Sequence, residues 1–551
     1  MRLGVLAILA VGCATTSSTS PPASSERGAL RLPPSTSAPR DLAVHALNRL
    51  GYGPSPADLS ALESVGLAPW LEAQLRPGVD PAMEARLSGF KTLSLSVAQA
   101  FREYPRPQVA LKAMGVDVKT EAGKEAAKDY ARLNSDELPR QLLVELTQAK
   151  LLRAANSKRQ FEEVLVDFWF NHFNVSAEKG RVRWMVNAYE REAIRPHVFG
   201  RFRDLLGATA KHPAMLWYLD GWLSVREGFS LKLGGKKKLA APVMEDDDGD
   251  DEEPLGTGRA LGLNENFARE LLELHTVGVN AGYTQDDVRE AARALTGWSL
   301  EVRPRQPRFG EFVFRPLAHD DGARRIFGLE LPSGLGRQHG EQLLDFLARH
   351  PATAKHLAFK LCQRLVSDTP PPALVDRVAA VFLRTDGDLP STYRAIVESP
   401  EFWSADAVAT KTRTPFEFVV AAIRSVGTLD EAQRPLATAL EQLGQPLYRC
   451  APPTGYREDT AAWVSAGGLV ARINFGLKLA AGRIPGVLVS LPPKDTPLEG
   501  LALAILGRQA SETTLATIRR AIADDDEVDE RRDERPKVVG LLLGSPEFQR
   551  Q

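Results

Sequence analysis

The chain has 551 residues, enough to bury at least one large core and, by length alone, to form roughly two to four domains. Hydrophobic residues make up 43% and charged residues 25%, an ordinary globular mix, and the formal net charge is -1. A balance this close to zero excludes the global positive field that draws a protein to polyanions, so no nucleic-acid partner is expected.

Arg2 opens the chain, followed by an apolar run from Leu3 to Val11 that is too short to span a bilayer as a mature helix. Gly12-Cys13 comes at once after it. Residues 1–12 resemble a lipoprotein signal peptide, in which Cys13 becomes the new N-terminus and carries the acyl chains; Ala10 stands where such signals prefer Leu. That reading predicts an exported protein, lipid-anchored in the bacterial cell envelope with the outer membrane among its destinations, whose first partner is the membrane itself. Apart from Cys13 only Cys362 and Cys450 are present, too few for a disulfide framework or a cysteine-rich metal site. Residues 13–40 are Ser, Thr and Pro with little to bury, and predict a disordered tether.

From residue 41 the pattern is helical. Ser55-Pro56-Ala57-Asp58 supplies a cap, a proline at the first helical position and a carboxylate three residues after the cap. Helical spacing runs almost throughout from Leu138 to Phe173. Thr284 and Asp287 repeat the capping pattern, and Gly297 supplies a stop. Further helices are predicted at 340–349, 352–366, 373–384, 390–398, 415–426 and 511–523, several announced by proline near the N-terminus. Between the helical parts 41–231 and 259–551, residues 232–258 run from Lys236–Lys238 into Glu245 to Glu253; like charges repel, and a disordered insertion is expected. Phe312-Val313-Phe314 and Arg325-Ile326-Phe327 flank His319-Asp320-Asp321-Gly322, which predicts one small β-hairpin near 311–328. The fold class is thus mainly α: a multi-helix body, continuous across the insertion, with one hairpin.

No glycine-rich phosphate loop, nucleophile elbow or zinc-protease helix is present. Candidate chemistry rests on polar residues at apolar positions. Phe161, Val164, Leu165, Phe168 and Trp169 make a helical stripe, and His172, eleven residues from its start, returns to it within about 20°. Asn264 and His275, again eleven apart, fall on the face marked by Phe267, Ala268, Leu271 and Leu272. Two imidazoles therefore enter the core near helix C-termini. With His319 or Asp320 from the hairpin turn they would suit a divalent metal such as zinc with an open position, or a metal-free acid/base pair. Asn171 and Asn264 could orient either arrangement. A histidine hydrogen-bonded to a last-turn carbonyl would give the same pattern without any chemistry. His339 and His356 read as exposed helical positions, and they, with His45, His197, His212 and His350, receive no role from their positions.

Several of these segments together resemble one bacterial family, the domain of unknown function 1800. They are His45-Ala-Leu-Asn-Arg-Leu-Gly-Tyr-Gly-Pro54, Phe168-Trp-Phe-Asn-His-Phe173, Pro213-Ala-Met-Leu216 with Leu219-Asp220, and the long block from Asn264 to Trp298; His319-Asp320 and Gly444-Gln445 follow. Gly221 and Tyr456 stand where the family usually has Asn and Trp. The resemblance implies an exported, largely helical protein, and because the family's genes often sit beside those of the sulfatase-like domain of unknown function 1501, a protein of that family is the partner to expect. No reaction comes with it. Two functions follow: a binding or assembly protein of the envelope, or a hydrolase of an envelope or extracellular polymer, metal-dependent or acid/base, built on His172, His275, His319 and Asp320.

Overall fold

The computed structural model describes residues 28–34, 37–229, 232–233, 236–237, 262–303, 308–523 and 533–551. The expected signal peptide, Cys13 and residues 14–27 of the tether lie outside these, as does nearly all of the charged insertion. Within the insertion, Lys232–Leu233 pairs antiparallel with Lys236–Lys237. Residues 28–34 run along the body instead of away from it: the backbone N–H of Leu30 donates to Glu72 Oε1 (2.6 Å) and that of Arg31 to Glu398 Oε1 (2.9 Å), while Leu30 and Leu32 pack on the core.

The body is mainly α, as its periodicity predicts. Local signals place the helix ends. Ser55 accepts from the N–H of Asp58 to start helix Pro56–Val65, and a Thr284–Asp287 capping box starts helix Gln285–Leu295. Helices Gln338–Arg349, Pro351–Leu365, Pro372–Arg384, Leu389–Val397 and Pro415–Val426 follow in quick succession. One apolar cluster reaches from Ala46 to Phe548 and draws side chains from both sides of the insertion. Helix Pro415–Val426 is buried at every position and lies within this core. Among the described residues no helix is long and apolar enough to cross a membrane. Cys362 and Cys450 are both buried free thiols.

The hairpin expected near 311–328 is corrected in its pairing. Both strands form, but Phe312–Phe314 pairs back with Trp298–Leu300, and Arg324–Ile326 pairs forward with Leu329–Leu331 across the Phe327-Gly328 turn. His319-Asp320-Asp321 is therefore the connection between two ribbons, not the tip of one. A second departure lies in the Asn264 block. Glu265–Glu270 is α-helical, but Leu271–His275 winds as a π-helix, which changes the angular relation among its side chains from that of a regular helix.

Candidate functional site

Two histidine clusters emerge; of the four residues nominated for chemistry, His172 and His275 fall in one, His319 in the other, and Asp320 in neither. In the first, helix Gln160–His172 buries its whole aromatic stripe, and His172 ends it at 2% exposure. The π-turn delivers His275 opposite, also 2% exposed, with its ring centroid 6.2 Å from that of His172; His356, from helix Pro351–Leu365, lies 6.2 Å from His172 on another side. His172 Nε2–H donates to the His275 carbonyl at 3.2 Å, and His356 Nε2–H donates to the Leu274 carbonyl at 3.2 Å. Two buried ring nitrogens, His172 Nδ1 and His275 Nε2, have no protein hydrogen-bond partner. Trp169 and Phe173 meet His172 edge-on, and Phe173 also packs at a tilt against His275.

Burial, helped by the neighbouring Lys360 charge, takes His172 well below the ordinary histidine range, His275 down to about 3 and His356 down to about 4. Burial also lowers Lys360 itself, with Glu458 pulling the other way. These imidazoles are neutral at physiological pH. They form a largely buried, interlocked group with no carboxylate among them.

The second cluster lies on the ribbon connection. His319 is fixed by Thr296: its Nδ1 lies 2.8 Å from the Thr296 carbonyl and 3.1 Å from Thr296 Oγ1, and its other nitrogen, Nε2, lies 2.8 Å from His339 Nδ1. His339, the second residue of helix Gln338–Arg349, is wholly buried. Asp321 Oδ1 stands 3.8 Å from His319 Nε2 and 3.7 Å from His339 Nδ1, on a side chain 53% exposed. Among the described residues, His319, Asp321 and His339 form the one set of three or more potential metal ligands whose donor atoms all lie within 4.8 Å of one another. No hydrogen bond, ion pair or ring contact among the described residues joins this cluster to the first.

Asp320 points elsewhere. Its carboxylate takes Arg293 Nε at 2.7 Å and Arg324 Nη2 at 3.3 Å, and its backbone N–H donates to Thr296 Oγ1 at 2.8 Å. It anchors the turn while its neighbour faces the imidazoles. Asn264 caps helix Glu265–Glu270, accepting from the N–H of Asn266 and donating to the Asp220 carbonyl (both 2.9 Å). Asn171 pins a loop: its Oδ1 accepts from the N–H of Tyr456 (2.7 Å) and its Nδ2 donates to the Tyr456 carbonyl (2.8 Å). Gly455 is required there, since its φ is +70° and a Cβ would meet the Asn171 carbonyl at 2.3 Å. That loop roofs a small cleft of mixed lining, with Lys150, Asp167, Arg364 and Glu458 on its charged side and Phe170 and Leu447 on its apolar side. Behind it the buried Arg364 guanidinium pairs with Glu417 (2.6 Å) and Glu458 (3.2 Å).

Sequence reasoning passed over His339, His356, Lys360 and Asp321. A signal existed for His339: it stands four and eight residues before Leu343 and Leu347, on the buried face of its helix. For Asp321 there was none, because adjacent turn residues point in directions set only by the fold.

A mainly α body carrying two separate histidine clusters and a roofed cleft defines the class. The chain belongs to the family described as Protein of unknown function (DUF1800), whose model matches residues 45–550. No curated protein and no solved structure matches it.

Proposed function

We propose that this protein is a lipid-anchored binding or assembly protein of the bacterial cell envelope, docking a partner protein through the face built by residues 461–471. One observation carries this reading. From Ala461 to Ala471 the chain has no charged residue, yet it lies at the surface, with Val464 65%, Leu469 46% and Val470 58% exposed at the start of helix Ala466–Ala480. Exposed contiguous apolar surface on a soluble body usually marks an interaction site. The apolar stretch itself carries no lysine or arginine. Arg457 before it is neutralised by Asp459, and Lys478 lies two turns further along the helix, a sparse basic flank that favours a protein over an anionic bilayer. Loop 455–459, which roofs the cleft, leads directly into it.

The sulfatase-like protein of the domain of unknown function 1501, implied by family resemblance, is the first partner to test. Purified wild type should bind it, and Leu469→Asp with Val470→Asp should weaken binding about ten-fold or more with the helical content unchanged; equal affinity in both proteins would reject the docking face. Labelled palmitate should enter the wild type and not Cys13→Ser, and label retained in the variant would reject the anchor. The second reading, a hydrolase of an envelope or extracellular polymer, draws support from the His319 cluster, where a half-exposed carboxylate meets two imidazoles. It predicts polymer cleavage that Asp321→Asn abolishes, and cleavage unaffected by that change would dismiss it.

A further inference from the structure

We propose that His319, Asp321 and His339 bind one divalent first-row transition-metal ion of the zinc class. The first ground is where the protons are. The Thr296 hydroxyl donates to the Arg293 carbonyl at 2.7 Å, so toward His319 Nδ1 its oxygen can only accept. The Thr296 carbonyl, 2.8 Å from the same nitrogen, also accepts only. His319 Nδ1 therefore carries the hydrogen, and Nε2 of the neutral ring presents a lone pair. His339 is oriented the same way from its other side: Nε2 faces the Pro332 carbonyl at 2.9 Å and must donate, leaving a lone pair on Nδ1.

Two lone pairs thus face each other across 2.8 Å, with a carboxylate oxygen beside both. Such an arrangement calls for a cation between them. Backbone carbonyls that fix the far nitrogen of each imidazole are the usual support for metal-ligating histidines.

The second ground is size. Donor atoms separated by 2.8, 3.8 and 3.7 Å lie on a circle of radius about 2.0 Å, the ordinary zinc–nitrogen and zinc–oxygen distance. Two imidazoles and a carboxylate suit zinc and its neighbours in the first transition row better than calcium or magnesium, which prefer oxygen alone. The third ground is access. Both histidines are buried, but Asp321 is half exposed, so an ion would keep an open coordination position on the solvent side, where water binds. The Asp321 carboxylate is also held by the N–H of Gly336 at 2.8 Å, which aims it without using up the oxygen.

The test is calorimetric titration of the detergent-solubilised full chain with zinc chloride, after chelator treatment. Wild type should take up one equivalent. Asp321→Asn keeps an oxygen that can accept from Gly336, so the loop should hold while affinity falls about ten-fold or more. His339→Ala should abolish that equivalent. Cobalt loaded in place of zinc should give visible absorption bands that His339→Ala loses and that Asp321→Asn shows only at about ten-fold higher cobalt, and His172→Gln, in the other cluster, should leave stoichiometry unchanged. Wild type that takes up no zinc at 100-fold molar excess, or an affinity unmoved by Asp321→Asn and His339→Ala, would overturn the site. If His339→Ala fails to fold, Asp321→Asn alone decides.

Discussion

The two histidine clusters are built from the same side chain and differ in what surrounds it. Around His172, His275 and His356 stand Trp169, Phe173 and main-chain carbonyls, with a cation, Lys360, acting on all three. Around His319 and His339 the main chain removes one nitrogen of each ring from play, and Asp321 supplies an anion facing the other two. An imidazole among aromatics and a lysine is pressed toward neutrality and becomes part of the packing. An imidazole oriented by carbonyls beside a carboxylate keeps a directed lone pair. Second neighbours, more than the histidines themselves, separate architecture from chemistry here.

Acid should have the largest effect and act mainly through the first cluster, where burial lowers the imidazoles furthest, although it lowers His319 and His339 in the same direction. His172, His275 and His356 have folded values below the ordinary 6.5, so the unfolded chain binds protons that the folded one refuses. Their contribution to stability is complete above pH 6.5 and is lost as pH falls from there toward about 4 for His356 and about 3 for His275. Each imidazole should cost up to about 1.4 kcal/mol per pH unit within that window. Urea unfolding at pH 7, 6 and 5 measures the slope, and His275→Gln should flatten it; a slope the same in both proteins would mean the ring is solvated.

Truncation comes next. His172→Ala opens a cavity between Trp169 and Phe173 and should lose roughly 3 kcal/mol, by the same amount in zinc and in chelator. A zinc-dependent loss would place the metal in the first cluster instead. Zinc at a hundred times its dissociation constant should stabilise wild type by about 2.7 kcal/mol and His339→Ala not at all, read as the gap between unfolding curves with and without chelator. The smallest effect sharpens the contrast: Thr296→Val removes the hydroxyl that helps fix the His319 tautomer. It should weaken zinc binding about ten-fold and cost on the order of 1 kcal/mol, while the acid slope from the other cluster stays as it was.

What the sequence made legible follows the range of each interaction. The caps at Ser55 and Thr284 involve residues three apart, and the structure has them where the pattern put them. The strands at 312–314 and near 325 were also readable, but their partners were not: strand pairing is non-local, and Trp298–Leu300 competed with the nearer segment and won. His172 and His275 stood out through helical periodicity, which shows that a residue faces inward and not what it will meet there. Asp320 and Asp321 are chemically identical neighbours. Only Arg293, arriving from helix Gln285–Leu295, and Arg324, from the following strand, distinguish the anchoring carboxylate from the one left to the imidazoles.

The hold of Glu72 and Glu398 on the backbone at Leu30 and Arg31 sets a leash length. If Cys13 carries the lipid, fifteen residue steps separate it from Gly28, where the described chain begins, and a fully extended chain of that size spans at most about 50 Å. That length is the upper limit on how far Gly28 can stand from such an anchor, and any partner the body meets must come within reach of it.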